Sequence, residues 1–319
     1  MLRLCASAAS LIALLAACSS RSPAATPPAP PPASLPRLDA DTSLLVVSPH
    51  PDDETLCCAG VIQRVLSAGG HASIVWITSG DAEQLSIPFL DRVLLHTRAA
   101  ARRLGSERMA EARAAATALG VKSDGQLFLG YPDGGVLALL ESHRVSAYTA
   151  RFTGAAAVPY ADAVYPAHPY TGESLEHDFA AILERTQPTL ILAPSFLDEH
   201  PDHRAAGLLA AHASLRSSGR WRVRYWIVHG GEGWPSPRGL LPGVPLTAPP
   251  AADGLVPAAF VLEPAEEDRK LLALQAHATQ LRVMAPFLLS FVRTTELYFP
   301  VPATDTRAAP EPGSFGITP

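Results

Sequence analysis

Two kinds of hydrophobic pattern alternate along the chain. Short apolar runs, most of them carrying β-branched residues, occur at 43–48 (SLLVVS), 72–80 (ASIVWITSG), 126–131 (QLFLGY), 189–195 (TLILAPS) and 223–228 (VRYWIV). They read as buried strands. Between them lie longer segments with helical spacing. In the first, at about 55–68, Leu56, Val61, Ile62, Val65 and Leu66 recur on one face. A second, at about 97–119, is rich in Ala, Arg and Glu and stops at Gly120. Others lie near 174–186, 201–216 and 264–280. Alternation of strands with helices predicts an α/β chain: a Rossmann-like three-layer fold, with a mostly parallel sheet and helices on both faces. The first strand–helix–strand unit is expected to be a right-handed crossover. The Gly- and Pro-rich segment 230–258 interrupts the pattern as an irregular excursion.

The pattern fails at both ends. Residues 1–18 carry Arg3 and a short apolar stretch, the layout of an export signal, and end in LAAC, which resembles the lipobox of bacterial lipoproteins and implies a lipidated Cys18. The expected organisation is a signal peptide at 1–17, then Cys18 and a Pro-rich tether at 18–37. A single domain at 38–300 and a loose tail at 301–319 follow. This predicts an exported cell-envelope lipoprotein held to a membrane through Cys18, on the periplasmic face or outer membrane of a Gram-negative cell. The formal charge is −5, and the basic residues are scattered, which argues against nucleic-acid binding. Two of the four cysteines, Cys57 and Cys58, fall in the domain as neighbours. They read as small buried residues, not as a staple.

In open parallel sheets, ligands bind beyond the carboxyl ends of the strands. The notable polar clusters all stand there: HPDDE (50–54) after the first strand, TSGD after the second, GYPDGG after the third and FLDEHPDH after the fourth. Either HPD alone is as consistent with a turn in which Asp53 or Thr55 caps a helix. Two such clusters at matching strand ends point to metal chemistry instead. Catalytic zinc takes three ligands from His, Asp and Glu, and leaves a position for water. A further carboxylate can serve as base, and a donor can stabilise an oxyanion.

SPHPDDETL together with HPDHRAAG resembles the LmbE-like (PIG-L) family of zinc-dependent N-acetylglucosaminyl deacetylases. ITSGDAE, ERMAEARAAATALGV, LFLGYPDGG, YTGESLEHDFAAILERTQPTLILAPS and LLALQAHATQL extend the resemblance over about 42–285. The resemblance implies zinc ligands at His50, Asp53 and His203, with Asp52 as general base. It implies His200 as the protonated group that stabilises the oxyanion and assists the leaving amine, with Asp202 orienting it. Glu54 would tie the loop down. Asp133 would contact a sugar hydroxyl and Arg108 would lie near the substrate. The implied reaction removes acetyl from an N-acetylated amino sugar. Two alternatives stay open: a metal-dependent amidase for another small amide, and a non-catalytic sugar-binding lipoprotein. His168, His277 and Trp234 are open between site contact and packing. His71, His96, His143, His177, His212 and His229 have no partner identifiable from sequence.

Overall fold

The computed structural model describes residues 34–83, 97–216 and 220–300. Seven strands occur among them: β1 (Ser43–Ser48), β2 (His71–Thr78), β3 (Gln126–Tyr131), β4 (Leu190–Pro194), β5 (Arg222–Trp226), β6 (Ala258–Val261) and β7 (Thr295–Tyr298). The first five form one parallel sheet in the order β3-β2-β1-β4-β5. The helices are α1 (Asp53–Ser67), α2 (Arg98–Ala118), α3 (Val136–Glu141), α4 (Gly172–Thr186), α5 (Pro201–Arg216), α6 (Pro264–Ala276) and α7 (Ala278–Leu288). The helices α1, α2 and α6 pack together, as do α3, α4 and α5. The expected three-layer α/β architecture is therefore present.

The reason lies in the strands. Leu44, Leu45, Val46 and Val47 are all buried, as are Ile74, Val75, Trp76 and Ile77. A strand buried on both sides needs a helix on each face of the sheet. Helix α1 supplies Leu56, Val61, Ile62 and Val65 to that core. Close packing also dictates small residues. A Cβ added at Gly207 of α5 would lie 2.4 Å from the Pro194 carbonyl oxygen, so α5 approaches β4 as only glycine allows. Cys57 and Cys58 are both buried in α1. Their sulfurs are bonded to each other at 2.08 Å, a link between neighbours that closes no loop.

Two features depart from the sequence pattern. The expected helix at 264–280 is two helices, broken at His277 (φ −78°, ψ 57°). The chain also ends its described course in an antiparallel pair, β6–β7, joined to the sheet edge by a bridge from Tyr225 to Phe299. The strands of that pair have only four residues each, too few to show a period. The sheet's own order reverses at β1, which lies between β2 and β4. That is the topological switch point, where the loops after β1 and β4 diverge and leave a crevice.

Candidate functional site

The crevice is lined by the two sequence clusters. HPDDE leaves β1 and turns into α1; FLDEHPDH leaves β4 and turns into α5. Asp52 stands at the N-cap of α1, yet its side chain caps nothing, and its backbone is held at φ 144° and ψ −32°. A non-glycine residue there is strained by about 1–3 kcal/mol. The Asp52 carboxylate, which caps no helix N–H, is left for the crevice.

Three ligand atoms from the two loops converge. His50 Nδ1 lies 3.2 Å from Asp53 Oδ2, His203 Nε2 lies 3.1 Å from the same oxygen, and the two nitrogens are 3.2 Å apart. Neighbouring ligands on one cation with bonds of about 2.1 Å have this spacing. His200 also comes close: His50, His200 and His203 each offer a ligand atom within 4.8 Å of the others. The residues present therefore fit a divalent metal. Electrostatics agree. Burial lowers the proton affinity of His203, but Asp198 and Asp53 outweigh it and lift the imidazole to about 9. Burial acts likewise on His50, where Asp133, Asp202 and Asp53 prevail and raise it well above the ordinary histidine range. The carboxylates thus draw positive charge into the crevice.

The remaining expected residues gather around this triangle. Burial pushes Asp52 up to about 7, with Arg108 opposing that rise. Arg108 is itself buried. Its Nη2 donates to Asp52 Oδ2 at 3.2 Å and to the Pro51 carbonyl at 2.9 Å, and Nη1 donates to the Gly80 carbonyl at 2.8 Å. A Cβ at Gly80, whose φ is +67°, would lie 2.2 Å from that guanidinium. Asp133 accepts from the Ala82 N–H at 2.8 Å and faces His50 Nε2 at 3.3 Å.

Asp202 differs from the expected picture. Its carboxylate accepts from the Gly134 and Val136 N–H groups at 2.7 and 3.0 Å and faces His50 Nε2 at 3.3 Å. What orients His200 is Asp202's backbone N–H, which donates to His200 Nδ1 at 3.2 Å. With Nδ1 accepting, the ring proton sits on Nε2. Burial and the neighbouring His50, His203 and His229 rings push His200 down to about 2. The resemblance implies a protonated His200, whereas the Asp202 N–H on Nδ1 favours a neutral ring with its proton on Nε2. Its acidic neighbour is turned away, and imidazoles surround it.

Sequence reasoning passed over Asp198 and His229. Asp198 is buried behind His203 Nδ1 at 3.1 Å and accepts from the N–H groups of His200, Val228 and His229 at 3.0, 2.8 and 3.0 Å. The His229 ring lies 4.8 Å from that of His203 and 5.1 Å from that of His200. His229 follows β5, so the strand-end rule that flagged the first four clusters also reaches it once applied to the fifth strand. His277 is buried against Glu54, with Nε2 3.1 Å from Oε1. His168 instead pairs with buried Asp178 at 3.0 Å. Trp234 packs against Phe291 and donates to the Thr247 carbonyl, so it offers no exposed sugar platform. His96 lies outside the described residues.

A profile of the PIG-L family, described as GlcNAc-PI de-N-acetylase, matches residues 45–214. A 1D-myo-inositol 2-acetamido-2-deoxy-alpha-D-glucopyranoside deacetylase of Tsukamurella paurometabola is 31% identical, over 86% of this chain and 96% of its own length. The enzyme of the same name from Thermobifida fusca is 29% identical, over 76% and 85%. Among solved structures, an A40926 pseudoaglycone deacetylase superposes with a TM-score of 0.51 at 18% identity, covering 82% of this chain and 97% of that one. A deacetylase of the teicoplanin biosynthesis pathway gives 0.53 at 17% identity, covering 81% and 96%; both likenesses concern the fold. The relatives overturn the envelope location expected from the N-terminus. The chain aligns along most of its length with deacetylases of a small inositol glycoside. The same comparisons lend no support to the membrane anchor expected at Cys18, which lies outside the described residues. That expectation rested on a short compositional signal in residues outside the described structure, whereas the alignment spans the folded region.

Proposed function

The chain belongs to the PIG-L (GlcNAc-PI de-N-acetylase) family, and from that premise we propose that it is a zinc-dependent deacetylase of N-acetylglucosamine-type glycosides. The convergence of His50 Nδ1, Asp53 Oδ2 and His203 Nε2 beside the Asp52 carboxylate carries the reading. Two imidazoles and one carboxylate are a donor set of catalytic zinc. When bound, the metal supplies Lewis acidity toward the amide carbonyl and lowers the pKa of water.

The chain's own residues do the rest. Asp52, lifted to about 7 by burial, is poised to take a proton at neutral pH. Arg108 fixes the Asp52 oxygen that it touches. Water oxygen adds to the acetamide carbon as Asp52 removes its proton. The neutral His200 presents Nε2–H to the resulting oxyanion, because its Nδ1 is already occupied by the Asp202 N–H. The C–N bond then breaks, Asp52 returns its proton to the amine, and acetate departs. Asp133, with one oxygen held by the Ala82 N–H, is placed to accept from a sugar hydroxyl. The relatives' substrate, an inositol glycoside of 2-acetamido-2-deoxyglucose, sets the class to test first.

The test is acetate release from that glycoside and from N-acetylglucosamine, with zinc-loaded protein. Release that disappears on chelation and returns with zinc is the expected result. A protein that binds zinc tightly yet frees no acetate from any N-acetylglucosaminide would sink the reading.

A further inference from the structure

One carboxylate behind the crevice has no part in the chemistry above. Glu54 is fully buried. Its Oε2 accepts from the Trp76 indole N–H at 2.9 Å, from the Asp52 backbone N–H at 3.1 Å and from Ser48 Oγ at 3.3 Å. Its Oε1 accepts from Thr55 Oγ1 at 2.9 Å and lies 3.1 Å from His277 Nε2. The Asp52 N–H therefore points at a fixed acceptor, and that bond lies on the residue whose φ is 144°. Backbone strain persists only where the surroundings over-determine it.

The far end of the network is the break between α6 and α7. His277 ends one helix and starts the next, and its ring is wholly buried. Both arms of this elbow are tied down. Lys270 of α6 donates to the Leu56 carbonyl of α1 at 2.8 Å. Thr279 of α7 donates its N–H and its hydroxyl to the two oxygens of Glu111 on α2, at 2.8 and 2.6 Å. An unbroken helix would carry residue 277 past Glu54 on a regular turn. The elbow fixes the ring against Glu54 Oε1, over a sequence separation of 223 residues.

We propose that His277 is a positioning residue: through Glu54, which the family resemblance already makes the tie of this loop, it holds the strained backbone of Asp52 so that its carboxylate meets the water and the amide in one geometry. The proposal rests on Asp52 being the base. Trp76 is the second support of Glu54; its ring is stacked on Phe128 at 4.2 Å, which fixes where the indole N–H points. Neither His277 nor Trp76 belongs to the converging ligand triangle, so the network bears on kcat and not on metal retention. A misplacement of the order of 1 Å at the base costs about 100-fold in rate.

The experiment compares His277→Leu, His277→Gln and Trp76→Phe with the wild type, all zinc-loaded, on the N-acetylglucosaminide that the wild type cleaves best. The expected result for His277→Leu is kcat lower by about 100-fold, KM within about threefold and zinc content unchanged. The Trp76 indole N–H resonance, assigned by its loss in Trp76→Phe, should move. His277→Gln, whose amide can donate to Glu54, should recover kcat to within about tenfold of wild type. Trp76→Phe keeps the stacking ring and the elbow, and should lower kcat by about tenfold even if His277→Leu does not fold. Wild-type kcat in both His277→Leu and Trp76→Phe overturns the proposal. So does a His277→Gln enzyme no better than His277→Leu, or zinc lost in step with activity. Asp52→Asn is run alongside: turnover retained there overturns the base assignment, whereas the Trp76 resonance in His277→Leu still reports whether the network holds.

Discussion

Two buried polar clusters flank α1, and they are built differently. Behind the helix, Lys270 and Glu296 pair at 2.9 Å with almost no exposure. Glu296 also accepts from the Gly60 and Val61 N–H groups and from Tyr298 Oη, and Lys270 from the same pair donates to the Leu56 carbonyl. Charge is balanced and the partners lie within the protein. Ahead of the helix, Asp52, Asp53, Asp133, Asp198 and Asp202 face Arg108 and a group of imidazoles, and three ligand atoms point at one place. Both clusters lie largely out of solvent, the closed one more completely. What separates them is whether the polar atoms satisfy one another or converge on something the chain does not supply. Burial of charge therefore does not mark a site by itself; convergence does.

That contrast can be broken from its catalytic side first. Asp52→Asn should lower turnover by about 10⁴-fold, the upper range for loss of a general base, with zinc still bound by elemental analysis. Metal lost together with activity would show that Asp52 is a ligand and not the base. His203→Ala removes one corner of the triangle and should abolish both zinc binding and acetate release; a variant that keeps full zinc occupancy would place the cation elsewhere.

The closed cluster should respond in stability and not in chemistry. Lys270→Met leaves Glu296 ionised and unpaired in the interior, at a cost of about 3–5 kcal/mol in denaturant unfolding. Turnover of the folded protein should fall by less than about tenfold. Catalysis lost without destabilisation would erase the distinction between the clusters.

Asp81, at the rim of the site, sharpens the comparison through pH. Burial, and then the charge of Asp133, push Asp81 up to about 7, against a hydrogen bond from Tyr160. A carboxyl with a raised folded pKa binds its proton more tightly in the native state. Its contribution is present below the unfolded value of about 4 and is lost as pH rises through about 7. Asp81→Asn keeps an acceptor for Tyr160 and should remove this loss. The variant should match the wild type near pH 4 and exceed it above pH 7 by a few kcal/mol, on the order of the linkage. A constant difference between the two unfolding profiles across that range would refute the shift. The smallest effect is expected in the sheet layer. Gly207→Ala should destabilise by about 1–3 kcal/mol through overpacking against Pro194, with unchanged kcat per folded molecule.

Much of this was legible in the chain before any coordinates. The runs SLLVVS, QLFLGY and TLILAPS are apolar and short, and they became β1, β3 and β4 with boundaries within a residue or two. His50, Asp52, Asp53, Asp133, His200, Asp202 and His203 come together because strand ends in a parallel sheet share one edge, and Arg108 reaches them from α2. The hydrophobic period is a local property, so it survives in sequence. So does a motif whose donors lie within five residues.

Other features depend on contacts between residues far apart in the chain, which no local pattern encodes. The period through 264–280 gave no reason to break a helix at His277; the break exists because Glu54 stands opposite and Thr279 finds Glu111. The family resemblance made Asp202 the partner of His200, but its carboxylate is claimed by the N–H groups of Gly134 and Val136, beyond β3. Asp198 and His229 acquire meaning only when β4 and β5 lie side by side. By itself the sequence determined the sheet, its helices and which polar side chains stand near the strand ends. Only the tertiary structure decided which of those side chains touch, because each such contact joins strand ends that folding alone makes neighbours.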